Sequence, residues 1–271
     1  MLCRICGSTA RVAFSHKILR KYDCQYYFCE ACGVLHTEDP HWLDEAYANP
    51  IALADTGIME RNLFLSQAVS LVLCFLLEPR GRFLDLAGGY GIFTRLMRDI
   101  GFDFRWADKY CDNMVARGFE APAVADGGYA AVTAFEVLEH LTDPLSFVAE
   151  TIESTGTDTI IFSTQLFEGS PPPQSWWYYV FDTGQHITFY RRSTLEFIGR
   201  RFGMNFYSSG LLHIWTRRKV NPLALKVLAH PRIAKLLGSL PRRALVSKTV
   251  ADHEYLLRAE STKSPPAGKI E

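Results

Sequence analysis

The sequence predicts an α/β fold: a mostly parallel sheet flanked by helices, preceded by a small cysteine-rich unit and followed by a basic helical tail. Three observations carry this. Short apolar runs alternate with stretches of helical periodicity between about residues 58 and 202. A glycine-crowded turn, Asp85-Leu86-Ala87-Gly88-Gly89-Tyr90-Gly91, joins one such run to one such helix. Two Cys-x-x-Cys pairs stand near the N-terminus. The chain has 271 residues, 48% hydrophobic and 21% charged, so a packed core is expected rather than disorder.

The elements follow in order. A helix is expected at about 58–77, and Pro79 and Gly81 end it. Arg82 to Leu86 reads as a buried strand. After the glycine turn, Ile92, Phe93, Leu96, Met97 and Ile100 mark a helix that Gly101 stops. Phe104–Asp108 and Ala130–Phe135 read as strands, Pro144–Ser154 as a helix and Thr159–Ser163 as a further strand. A helix is predicted from Ser193 to Phe202, with Glu196 completing a capping box. Phe206–Ser209 and Leu211–Thr216 form a closing hairpin. The boundaries that result are 1–45, 46–218 and 219–271.

Net charge is zero, with 29 basic and 29 acidic residues, so nothing global argues for nucleic acid as a partner. The charge is uneven: nine Lys or Arg and no Asp or Glu lie between Arg217 and Lys248. Within that stretch Leu223, Leu225, Val227, Leu228, Ile233, Leu236, Leu237 and Leu240 alternate with basic residues, and Pro231 divides them into two short helices. Such a tail can touch an anionic membrane surface, cradle a phosphorylated acceptor, or simply pack on the core with a solvated basic face. The last residues, around 264–268, look frayed. No secretory signal is visible. The apolar run Leu63–Leu77 is 15 residues and contains Ser66, Gln67 and Ser70, which reads as a core helix. The expected location is cytoplasmic, with the inner membrane surface open to the tail.

Seven cysteines are present, four of them in Cys3-x-x-Cys6 and Cys29-x-x-Cys32, 22 residues apart. In a reducing compartment that pattern is metal rather than disulfide. Four thiolates suit a closed, tetrahedral, structural zinc, and Gly7 and Gly33 suit the tight turns around it. Cys24, His16, His36 and His41 are nearby substitutes for any one ligand.

The glycine turn brings backbone close to a ligand at the carboxyl end of the sheet. A dinucleotide fingerprint would place a third glycine where Thr94 stands, which disfavours a nicotinamide-dependent oxidoreductase. An acidic residue, Asp85, precedes the turn instead, and Asp108 ends the next strand, where a carboxylate can bind ribose hydroxyls. Here the sequence resembles the class I S-adenosylmethionine-dependent methyltransferases, whose first motif is acidic-x-Gly-x-Gly-x-Gly. This chain has Asp85-x-Ala87-x-Gly89-x-Gly91, departing at Ala87. The stretch Val132-Thr133-Ala134-Phe135-Glu136-Val137-Leu138-Glu139-His140-Leu141 looks like the family's fourth strand and the segment after it. The resemblance covers about residues 60–215 and is closest to the branch that includes quinone and small-metabolite enzymes.

The resemblance implies a Rossmann-like sheet and a donor site of Asp85, Ala87, Gly88, Gly89, Gly91, Asp108, Lys109, Phe135 and Glu136. Between Asp108 and Val132 the chain is short for the usual third strand; Asp126 is the one good candidate for its adenine contact, and otherwise Asp126-Gly127-Gly128 is simply a turn. Some sugar methyltransferases are similar in carrying an N-terminal zinc-binding unit. A small-molecule or glycan acceptor is expected, with O-methylation ahead of C- or N-methylation; a zinc-bearing binding module that keeps the donor without catalysis is the alternative. Two segments suit the acceptor side: Gln165–Tyr179, with its run Trp176-Trp177-Tyr178-Tyr179, and Gly184–Tyr190. The aromatic run reads equally as an acceptor platform or as core. His186 is the candidate general base, against a structural histidine that pins its loop. His140 reads as structural.

Overall fold

The computed structural model describes residues 1–48, 50–53, 55–122 and 128–261. Among these, the main sheet has the order β5-β4-β6-β7-β10-β9. Its strands are β4 (Arg82–Leu86), β5 (Asp103–Ala107), β6 (Tyr129–Phe135), β7 (Thr159–Ser163), β9 (Asn205–Ser209) and β10 (Leu212–Thr216). β5, β4, β6 and β7 are parallel neighbours, and β10 runs antiparallel to β7 and to β9, the expected closing hairpin. Asp85 pairs in register with Trp106 on one side and Thr133 on the other.

The sheet is buried on both faces, as parallel strands require. Period-2 alternation sorts the side chains. Phe83, Phe104, Ala131, Ile161, Leu212 and Ile214 face one layer, with α2 (Ile58–Phe75) and α3 (Ile92–Ile100). Ala134, Ile160, Phe162 and Trp215 face the other, with α4 (Pro144–Thr155) and α5 (Arg192–Arg201). α2 has the length and composition to cross a membrane, yet Leu65, Ala68, Val69, Leu71, Val72 and Leu73 are buried in the core.

A second sheet has the order β1-β2-β3-β8, from β1 (Arg11–Ile18), β2 (Tyr22–Phe28), β3 (Leu35–Thr37) and β8 (Thr188–Phe189). Its last strand comes from residues far along the chain, so the N-terminal segment and the loop before α5 share one sheet. Tyr26, Leu35, Trp42, Tyr178, Tyr179, Ile187 and Phe189 make its aromatic core. The short α1 (Leu43–Ala46) follows β3. Three of the four aromatics in the 176–179 run are therefore core residues, and Trp177 alone is largely exposed.

The α5 cap differs from the expectation. α5 starts at Arg192 with Arg191 as N-cap, and the Thr194 hydroxyl accepts from the Arg191 N–H. Ser193 and Thr194 both donate to the Cys32 carbonyl (3.1 and 2.8 Å), and Glu196 pairs with Arg192. Tertiary contact with the cysteine unit outcompetes the local capping box.

Between β5 and β6 the described residues show a parallel bridge, Trp106 with Glu120, in place of a full third strand. Trp106 donates to the Phe119 carbonyl (2.9 Å) and accepts from the Ala121 N–H (2.7 Å). Asp126 lies outside the described residues. The tail folds as α6 (Pro222–Leu228), α7 (Pro231–Leu237), α8 (Pro241–Ala244) and α9 (Thr249–Ser261). Pro231 does divide two short helices. Leu225, Ala229 and Ala234 are buried against α2's layer, while Leu223, Val227 and Leu236 stay exposed. α9 is anchored by Asp252, buried in ion pairs with Arg98 (2.7 Å) and Arg95 (2.9 Å). The stretch at 264–268 is outside the described residues.

Candidate functional site

The glycine turn sits at the carboxyl end of β4. Ala87 has φ 56°, Gly89 φ 53° and Gly91 φ 82°, a left-handed run that folds the chain sharply into α3. Gly88 is required for space: a Cβ there would lie 2.7 Å from both the Asp85 carboxylate and the Trp106 ring. Asp85 does not point outward. It is buried, and its oxygens accept from Thr133 (2.8 Å) and Thr94 (2.9 Å). Burial pushes its pKa up to about 7. Thr94, the residue that breaks the dinucleotide pattern, is thus what ties the helix to the acid.

Asp108 faces the turn from the end of β5. Its carboxylate accepts from the Gly89 N–H (2.8 Å) and from the backbone of Tyr110 (2.7 Å) and Cys111 (2.9 Å). The Trp106 indole donates to the Gly89 carbonyl (2.9 Å). Lys109 is exposed with its ammonium 5.3 Å from the Tyr110 ring centre. Ile51 covers Gly89 from the segment before α2. Phe135 packs edge-on against Phe93, 4.8 Å between centroids.

Across the sheet, Glu136 takes φ 53° at the end of β6. Its N–H donates to Ser163 at the end of β7 (2.9 Å), and its carboxylate accepts from the same hydroxyl (2.6 Å). A short 3₁₀ turn (Leu138–His140) then presents Glu139 and His140. Glu139 is wholly buried; it accepts from the Tyr178 hydroxyl (2.7 Å), and its other oxygen has no hydrogen-bond partner. Burial raises Glu136 and Glu139 to about 7, helped at Glu136 by the neighbouring Glu139 charge.

His186 lies against His140, 4.8 Å between ring centroids and nearly perpendicular. His186 Nδ1 donates to the Tyr178 carbonyl (2.7 Å) and His140 Nδ1 to the Gln185 carbonyl (3.1 Å). Each contact fixes the tautomer and leaves Nε2 as a bare acceptor. Burial lowers both pKa values, that of His140 to about 3. Both rings are neutral bases. The sequence reading missed Glu139, Tyr178 and the pairing of His140 with His186; the signal was present as Glu136-x-x-Glu139-His140, but its partner is 46 residues away from His140.

The two Cys-x-x-Cys knuckles converge. Cys3 and Cys32 sulfurs are 3.6 Å apart and Cys6 and Cys29 sulfurs 3.5 Å, with all four within 4.8 Å of one another and no disulfide. A tetrahedral ion at about 2.3 Å from each sulfur needs S···S separations of about 3.8 Å, so the four donors fit zinc. Gly7 (φ 74°) and Gly33 (φ 86°) close the knuckles, donating to the Cys3 and Cys29 carbonyls. Cys24, His16, His36 and His41 stand outside this cluster.

The knuckles reach the histidine pair through a continuous path. β3 pairs with β8; the Thr37 N–H donates to the Ile187 carbonyl and the Ile187 N–H to the Glu139 carbonyl (3.0 and 2.8 Å). Trp42 donates to the Gly184 carbonyl (2.8 Å). Tyr47 bridges the two halves, stacked on Tyr110 (5.1 Å) and edge-on to His140 (6.1 Å).

The glycine turn, the facing aspartate and the strands that carry them lie inside a stretch, residues 59–209, that matches the family model described as a methyltransferase domain. The chain belongs to the methyltransferase-domain family. That is the methyltransferase domain the sequence led us to expect. Similar solved structures include TnmH (17% identity, TM-score 0.45, 66% of this chain and 62% of that one). The mitomycin 7-O-methyltransferase MmcR is another (12%, 0.45, 64% and 59%). A possible histamine N-methyltransferase from Thermotoga maritima is a third (14%, 0.43, 60% and 92%). The match thus spans less than two thirds of the length of the first two. No curated protein matches.

Proposed function

We propose that this methyltransferase moves the methyl group of S-adenosylmethionine to a hydroxyl of a small-molecule or glycan acceptor. The observation that carries the reading is the pairing, at the carboxyl ends of the strands, of the Ala87–Gly91 turn with Asp108 on one side and neutral histidines on the other. When bound, the donor supplies a methyl on a sulfonium leaving group. The chain's work is to hold it and to bring the acceptor into line. Asp108, which now accepts the Gly89 N–H, would take ribose hydroxyls. Gly88, Gly89 and Gly91 would let backbone approach the donor, with Lys109, Phe135 and Glu136 at its edge. Asp85 acts from behind, as the buried anchor of the turn.

On the acceptor side, His186 is held by its Nδ1 contact to Tyr178 with Nε2 open, the state a general base needs. The four cysteines would hold a structural zinc that fixes β3, and through β3 the His186 loop. In the tail, Leu223, Val227 and Leu236 beside Lys226, Arg232 and Lys235 would give a cytoplasmic enzyme a foothold on an anionic membrane. Calorimetry with S-adenosylmethionine, followed by transfer of labelled methyl to hydroxylated acceptors, tests the whole reading. Donor binding without transfer to any acceptor would favour a binding module, and no binding would end both.

A further inference from the structure

Glu139, His140 and His186 form a cluster the methyl-transfer reading does not fully use. Glu139 comes from the turn after β6, and His186 from the loop tied to the N-terminal sheet. Their ligand atoms all lie within 4.8 Å of one another. Each histidine spends its Nδ1 proton on a backbone carbonyl, the outer contact that metal-binding histidines make, which leaves the Nε2 lone pair free for a ligand. Glu139 has one oxygen on Tyr178, while the other is buried with no hydrogen-bond partner among the described residues. A wholly buried carboxylate oxygen left unpaired is costly, and a cation would satisfy it. The nearby guanidinium of Arg61 is already committed to Asp55 through two hydrogen bonds (3.2 and 2.7 Å).

We propose that Glu139 and the Nε2 atoms of His140 and His186 bind one divalent cation. Two imidazoles and one carboxylate on one side of an ion suit Mn²⁺, Fe²⁺, Co²⁺ or Zn²⁺ and leave positions open on the other. An ion at about 2.1 Å from each donor needs the donors about 3 Å apart, so side-chain adjustments of under about 2 Å close the site. This site differs from the four-cysteine one in kind: hard oxygen and imidazole donors here, soft thiolates there. It rests on the methyltransferase reading only in what it does. An acceptor oxygen on the open side is oriented, and its hydroxyl loses its proton to solvent more readily. His186 then serves the acceptor as a ligand rather than by direct proton abstraction.

The test uses Mn²⁺, which thiolates bind poorly, added to the full chain with its cysteine site undisturbed. The free Mn²⁺ resonance signal should fall until one ion is bound per chain. His186→Ala should weaken this roughly 10-fold or more. Glu139→Gln, which keeps the volume and the Tyr178 contact, should do the same, so a misfolded alanine variant would not decide the matter. Wild-type protein that leaves Mn²⁺ free, or variants that bind it as wild type does, would overturn the site. Metal-independent transfer that His186→Ala abolishes would also overturn it, returning His186 to the role of base. Donor affinity measured on the same samples separates the two claims. Mn²⁺ binding with no donor binding would keep the cation site and defeat the methyl-transfer reading.

Discussion

The proposed donor half and the proposed acceptor half of this protein are built in opposite ways. The donor half is local. Asp85, the glycine turn, Thr94 and Asp108 lie within 24 consecutive positions, and strand, turn and helix fix them. The acceptor half is assembled from Trp42–Tyr47, Glu136–Leu141 and Tyr178–Tyr190, pieces that meet only because β3 captures β8. Local geometry is robust to changes elsewhere. An assembled site depends on whatever holds its pieces together, here the cysteine unit docked on α5 through Ser193 and Thr194.

The sharpest way to break that contrast is to remove a cysteine. Cys32→Ala should cost on the order of 5 kcal/mol of stability through loss of the proposed structural ion. Because β8 and His186 lose their anchor, turnover should fall roughly 100-fold or more. Donor affinity should hold within about threefold, since binding at the turn makes no use of the cysteines. Elemental analysis, thermal unfolding and calorimetry check the three statements. An equal fall in donor affinity would mean the halves are one unit.

Two substitutions probe the donor half alone. Asp85 binds its proton up to about pH 7 in the fold, against an ordinary 3.8. The native state therefore keeps a proton the unfolded chain releases. Its contribution is full below about pH 4 and is lost as pH rises through 7, a fall on the order of 4 kcal/mol. Asp85→Asn removes that titration, so its stability should decline less steeply between about pH 4 and 7 than that of the wild type, with Glu136 and Glu139 still titrating there; parallel curves would show that Asp85 holds its proton no more tightly in the fold than in the unfolded chain. Gly91→Ala should be milder. It forces a Cβ onto φ 82° and within 2.6 Å of the Asn113 side chain, costing about 1–3 kcal/mol and weakening donor binding roughly 10-fold. Unchanged donor affinity would show that the donor does not use this turn.

Legibility followed the same divide. Apart from β8 and the two short 3₁₀ turns, strand and helix order from α2 to β10 was readable because each element carries its own periodicity, down to Thr159–Ser163. The β1–β2 hairpin was not. Its turn puts Leu19 and Arg20 at φ 53° and 57°, a conformation normally flagged by Asn-Gly. The third strand was hard to read because, among the described residues, it shows as a single bridge, at Trp106 and Glu120. Ser193 and Glu196 looked like a cap because sequence cannot show that Cys32, 161 residues back, claims the serine hydroxyl. The contact of His140 with His186 was hidden for the same reason: only the fold puts the two rings side by side.

The smallest effect is expected where the sequence departs from its family. Ala87 stands where the motif has glycine, and the fold keeps the glycine conformation, φ 56°. An alanine there carries about 1 kcal/mol of steric cost. Its methyl is exposed, so little packing offsets that strain. Ala87→Gly relieves the strain but also loosens the unfolded chain, leaving a net gain of roughly 0.5 kcal/mol and a rise of about 1–2 °C in melting temperature. If the methyl also crowds the donor, affinity for S-adenosylmethionine rises in the same variant. Because the change lies wholly in the local half, Mn²⁺ affinity and the acceptor KM should not move. A shift in either would mean that the turn and the histidine pair communicate, through the stack of Tyr110 on Tyr47 beside His140.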